Sequence, residues 1–166
     1  MDKLSNHISY KEATYSATAI RLGISNIPDA DQLCNMKLLA KMVFEPTRIE
    51  LSTPIHVSSM FRSPELNKAI QGAKNSQHLA LNGAAMDIDA DFYGIVTNID
   101  VFTYIKDNLV FDQLIIEDLT KGHAGWVHVS YKPKDNRNEV LIMYRDELGK
   151  TKYLPYTKDN FNNLYK

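Results

Sequence analysis

Cysteine is almost absent from this chain. Cys34 is the only one in 166 residues, so neither an intrachain disulfide nor a thiolate metal cluster can form, and no oxidising compartment is required. It is expected to be a small buried hydrophobe. An excess of charge is missing too: 19 basic residues stand against 20 acidic ones, which gives no electrostatic reason to propose a nucleic acid partner. Long apolar runs are missing as well. No stretch approaches the roughly 20 apolar residues of a membrane span, and the opening Met1-Asp-Lys-Leu-Ser-Asn-His7 has no apolar h-region. The expectation is a protein made in the cytoplasm without a signal peptide, with no membrane partner, that reaches any outside target through another delivery system. Repeats, low-complexity tracts and linkers are also lacking. Residues 1–166 are therefore expected to form one monomeric domain, with residues 151–166 as a tail whose aromatics cover a sheet edge.

What is present suffices for a core. Hydrophobic residues make up 44% of the chain and charged residues 23%, ordinary values for a globular domain of this length. Ser9-Tyr-Lys-Glu12 reads as a capping box opening a short helix, and Gly23, Asn26 and Pro28 close that region. A longer helix starts near Asp29 or Asp31, with Leu33, Met36, Leu39 or Ala40, and Val43 at the spacing of an apolar stripe, and it is expected to stop by Pro46. Residues 54–61 alternate like a strand. Ser63-Pro64 then opens a helix that Gly72 ends.

The second half reads as a strand at 84–88, an amphipathic helix at 99–109, and strands at 112–117, 126–131 and 139–144. Short connections between the last strands predict antiparallel pairing, because a parallel crossover takes a dozen or more residues. Residues 132–138, rich in Lys, Asn and Asp, are then a solvated hairpin loop. The fold class is α+β, with helices packed on a small antiparallel sheet.

The chemistry concentrates in Ser76-Gln-His78-Leu-Ala-Leu-Asn-Gly83-Ala-Ala85-Met-Asp87 and Gly125-Trp-Val-His128. These supply two imidazoles and a carboxylate, the set a catalytic zinc ion needs when its fourth position stays open for water. On a strand of period two, Trp126, His128 and Ser130 share one face and Val127 and Val129 the other, one face for the site and one for the core. The same alternation groups Gln113, Ile115 and Glu117, so Glu117 can project toward the ion if the two strands are neighbours. Gly83 and Ala85 read as small residues that allow close approach around a cation.

Together with Ser58-Ser-Met-Phe-Arg62-Ser-Pro-Glu-Leu-Asn67 and Phe111-Asp-Gln-Leu-Ile-Ile-Glu117, these motifs in their order resemble the zinc D-Ala-D-Ala carboxypeptidases and phage L-alanyl-D-glutamate endopeptidases, which share the hedgehog/DD-peptidase fold. The likeness covers about residues 5–145 and is nearest the short, phage-type members. It implies one zinc ion on His78, Asp87 and His128. It implies Arg62 on a substrate carboxylate or oxyanion, and Ser76 in support of the ligands. The implied partner and substrate is the peptide stem of bacterial peptidoglycan, cut beside a D-amino acid by an endolysin-like endopeptidase or a D,D-carboxypeptidase that degrades cell wall.

The chain departs from the family pattern twice. Two extra residues separate His78 from Gly83, so ligation requires the loop to bulge outward. The position three before His128, commonly an acid in the family, is Gly125, which cannot take a proton. Glu117 is the first replacement for the general base, His123 the second and Asp118 the third. Gln113 and Trp126 are further candidates for the substrate wall or the outer ligand shell. Asp89 becomes a ligand only if the longer loop shifts the register by two. His7 and His56 read as structural. The competing reading is a non-catalytic zinc-containing module of the same fold that binds wall or serves structure, favoured by Gly125.

Overall fold

Short polar side chains open most of the helices. In the computed structural model, which describes residues 3–166, Ser9 caps α1 (Tyr10–Thr14) and Ser16 caps α2 (Ala17–Leu22), which ends on Gly23 at φ 66°. Asp29 and Gln32 form a reciprocal capping box at the start of α3 (Ala30–Leu39). The expected stop by Pro46 does not occur. α3 runs through a π turn, Ala40–Phe44, into α4 (Glu45–Glu50), with the Glu45 amide donating to the Ala40 carbonyl five residues back. Pro46 thus falls in the first turn of α4, where a missing N–H is tolerated. Met36, Leu39, Ala40 and Val43 are buried as the stripe predicts. Cys34 is exposed, correcting the expectation of burial: it lies one residue, about 100° around the helix, from Leu33 on the stripe.

The strands follow as β1 (His56–Ser59), β2 (Ala84–Asp89), β3 (Gln113–Glu117), β4 (Trp126–Tyr131), β5 (Glu139–Arg145) and β6 (Thr151–Pro155), with α5 (Pro64–Ala69) after β1, α6 (Asn98–Asn108) after β2 and α7 (Lys158–Tyr165) last. They form one six-stranded sheet in the order β1-β2-β4-β3-β5-β6. The fold is α+β, but the sheet is not wholly antiparallel: β5 runs parallel to β3. Both edges of β4 are taken, by β2 and β3, so β5 cannot pair with β4 and takes the far side of β3 instead. Having reversed once relative to β4, it arrives parallel to β3. Residues 132–138 are accordingly a link from β4 past β3, not a hairpin loop.

Met86, Ile88, Leu114, Ile116, Val127, Val129 and Ile142 are fully buried in the core. α3 packs against β2 and β4, and α6 against β3 and β4. Each such side chain withdrawn from water contributes about 1.5–3 kcal/mol, so this face holds the sheet rigid while the opposite face carries the polar residues. Asn98, fully buried at the start of α6, accepts from the Ala90 amide at 2.8 Å and reaches the Gly125 carbonyl at 3.0 Å. It ties the end of β2 to the approach of β4. In the tail, β6 pairs with β5, and Tyr156 packs at a tilt between Phe102 of α6 and Phe161 of α7 at ring separations of 5.4 and 6.0 Å.

Candidate metal centre and cleft

Asp87 and His128 sit directly opposite one another on β2 and β4. Period-two alternation sends both to the face away from the core, so their meeting is a matter of register. His78 arrives from the one-turn helix Gln77–Leu79, in which the His78 amide donates to Ser76 Oγ. Four bonds hold that turn in place. His78 Nδ1 donates to the Met60 carbonyl at 2.7 Å, and the Arg62 amide donates to the His78 carbonyl at 2.9 Å. From α3, Gln32 and Asn35 donate to the Leu79 and Ala80 carbonyls at 3.0 and 2.9 Å. The two additional residues are absorbed as the outward bulge that ligation requires: Ala80 turns left-handed at φ 56°, and Leu81 is 69% exposed while His78 is 3% exposed.

His78, Asp87 and His128 each offer one ligand atom, and these atoms lie within 4.8 Å of one another. Asp87 Oδ1 is 3.2 Å from His78 Nε2 and 2.9 Å from His128 Nδ1, and Arg62 Nη2 donates to Oδ2 at 2.9 Å. Burial alone would raise the Asp87 pKa, but the two imidazoles outweigh it and hold the carboxyl ionised, well below the usual range. Burial pushes the His78 pKa down, against the pull of Asp87. A neutral His78 whose Nδ1–H donates to the Met60 carbonyl presents a bare Nε2 lone pair to the Asp87 lone pair. Two such donors 3.2 Å apart need a shared cation between them, and the imidazole-imidazole-carboxylate set suits a divalent metal ion.

A cleft of about 390 Å³ opens over this group, walled by Arg62, Gln113, Glu117, Trp126 and Tyr153 and floored by His128. Glu117 faces it because β3 pairs with β4 so that Ile115 lies opposite His128 and Glu117 opposite Trp126. Burial pushes the Glu117 pKa up to about 7, His128 opposing and Asp87 adding to the rise. The other two replacement bases lie elsewhere. Asp118 pairs with Arg145 at 3.2 Å, and His123 is exposed in the bridge to Thr120; neither lines the cleft. Gly125 has its own local reason. A Cβ there would stand 2.9 Å from the Asp118 Cβ. Asp89 is two residues past Asp87 and lies 3.3 Å from Asn98 Nδ2, outside the metal-competent group. Gly83, at φ 87°, serves strand pairing rather than a cation: a Cβ would meet the Tyr131 carbonyl at 2.3 Å. His7 bonds Glu45, and His56 stacks on Phe92, both away from the cleft.

Tyr153 was not foreseen. It lies on edge strand β6, opposite Met143 of β5, in a tail with no motif around it. The alternation of Lys152-Tyr153-Leu154 was the one local sign of a strand.

An α+β fold brings two histidines and an aspartate together beneath a polar cleft, a donor set that could hold a divalent metal ion. The family model described as Peptidase M15 matches residues 6–130, and the chain belongs to that family. No curated protein matches it.

Proposed function

We propose that the chain is a zinc peptidase that cleaves a bond beside a D-amino acid in the peptide stem of bacterial peptidoglycan. The observation that carries this reading is the convergence of His78, Asp87 and His128 under a cleft whose wall bears Glu117. The membership in Peptidase M15 supports a peptidase. The resemblance of the ordered motifs to wall-peptide enzymes supports the substrate. Such a substrate places the working enzyme, a monomer in this reading, at the cell wall after release or delivery.

His78, Asp87 and His128 hold the ion. When bound, zinc supplies Lewis acidity toward the scissile carbonyl and brings the pKa of water toward about 7. Glu117 takes one proton from the attacking water as the new C–O bond forms, then returns it to the amine as the C–N bond breaks. A carboxyl raised by burial suits both tasks, since it neither holds nor releases a proton too readily near neutrality. Arg62, already at the cleft wall, supplies positive charge for the oxyanion or for a substrate carboxylate. Ser76 keeps the His78 turn closed, and Gln113 and Trp126 face the bound stem.

Digestion of purified peptidoglycan followed by mass spectrometry tests the reading. New amino and carboxyl termini at one bond, lost on chelation and restored by zinc, are expected. The position of that bond separates endopeptidase from carboxypeptidase. Absence of new termini with zinc stoichiometrically bound would establish the competing reading, the non-catalytic module for which Gly125 speaks.

A further inference from the structure

We propose that a second cleft, adjoining the candidate metal centre, binds a carboxylate-bearing arm of the substrate; this rests on the peptidase reading above. The second cleft, of about 580 Å³, shares Asn75, Ser76, Gln77 and Gln113 with the first, so a chain lying in one continues into the other. Its lining adds three cations, Lys74, Lys132 and Arg137, and one acid, Asp112.

The charges are unequally matched. Asp112, with its side chain 1% exposed, holds Lys132 Nζ at 2.8 Å and Arg137 Nη2 at 2.6 Å. Glu139 lies 3.3 Å from Arg137 Nη1. Two carboxylates therefore face three cations, and Lys74 forms no salt bridge with an acid among the described residues. The remaining Lys132 donors and the side-chain amides of Asn75 and Asn82 line the same cleft and add further hydrogen-bond donors. An ammonium with no carboxylate partner beside neutral donors favours an anion of carboxylate size over the corresponding amide, whose oxygen accepts a hydrogen bond but carries no full charge.

The two clefts are also mechanically joined. Gln77 Nε2 donates to Asp112 Oδ2 at 2.9 Å, and Gln77 precedes His78 in the turn that carries it. The floor of the second cleft thus adds one more bond to the turn that carries His78, beside those from Met60, Arg62, Gln32 and Asn35.

The test is titration calorimetry of the zinc-loaded chain with a soluble stem peptide whose side-chain carboxylate is either free or amidated. The free acid is expected to bind about two- to fivefold tighter, the size of an exposed charge pair. Lys74→Gln should erase the preference without changing affinity for the amide or zinc content, and Lys74→Arg should retain it. Lys74 is exposed, so neither substitution endangers the fold. Equal affinity of the wild type for acid and amide, or a preference that survives Lys74→Gln, would overturn the proposal. If the acid is preferred yet peptidoglycan yields no new termini, the peptidase reading falls and the subsite stands. If both stems are cut with equal kcat/KM and bind equally, the subsite falls and the peptidase stands.

Discussion

His78 Nδ1–H donates a hydrogen bond to the Met60 carbonyl at 2.7 Å, and this single bond decides which ring nitrogen meets Asp87. Met60 follows β1 directly, so the orientation of a candidate ligand is set by the end of a strand on the far side of Asp87 from His128. Because the acceptor is a backbone carbonyl, no side-chain substitution at position 60 removes it.

Loss of a ligand should therefore show in metal content before it shows in fold. His128→Ala is expected to weaken zinc binding by more than the roughly 10–100-fold that loss of an outer partner costs. Elemental analysis after dialysis, beside circular dichroism, checks this. Undiminished stoichiometric zinc in His128→Ala would remove that residue from the ligand set.

Glu117 ties catalysis to stability. With its carboxyl pushed up to about 7, the folded metal-free chain binds more protons than the unfolded one between roughly pH 4.3 and 7. Stability from this group is complete below that window and is lost as pH rises through it. In Glu117→Gln the loss disappears: the metal-free variant should melt above the wild type by about 3 °C or more at pH 8 and at the same temperature near pH 4. Activity should fall about 10²- to 10⁴-fold with zinc retained. Thermal melts and turnover on the same preparations read both, and unchanged turnover would take the proton-transfer role from Glu117.

Asp112 behaves in the opposite sense. Burial works to raise its pKa, but bonds from Arg137, Lys132 and Gln77 prevail and hold it well below the usual carboxylate range. Its contribution is present above the unfolded value of about 3.9 and is lost as pH falls through the lower folded value. Asp112→Asn should cost about 2–3 kcal/mol at pH 7, since Lys132 and Arg137 can still reach water in part. The difference from wild type should shrink in denaturant titrations as the buffer is taken below pH 4. A difference independent of pH would show that packing, not charge, makes Asp112 matter.

Gly125 can be examined by restoring an acid. Gly125→Asp should destabilise by about 1–3 kcal/mol through overpacking, because its Cβ would stand 2.9 Å from the Asp118 Cβ. Adding Asp118→Gly removes the obstruction and suits the φ of 52° at that position. A double-mutant cycle should therefore give a favourable coupling above about 1 kcal/mol; additive effects would show that the two positions do not meet.

Much of the site was legible because its signals are local or periodic. The Ser63 and Asp29 caps need only neighbours within a turn, and the face shared by Trp126, His128 and Ser130 needs only the pleat of a strand. Pro46 misled because a π turn reroutes a hydrogen bond that a uniform α-helix would have demanded. The exposure of Cys34 was readable from the stripe itself, had its angle to Leu33 been weighed over the habit of its residue type.

The chain alone determined which residues could ligate, which could cap, and which faces would be apolar, since these follow from side-chain chemistry and from periods of 2 and 3.6. Tertiary structure decided the rest. β5 lies parallel to β3 because β2 had already occupied the free edge of β4, a competition between segments far apart in sequence. That placement draws β6 after it and so carries Tyr153 to the cleft. The same register buries Glu117 beside His128 and Asp87, and that burial, against the opposing charge of His128, raises its pKa.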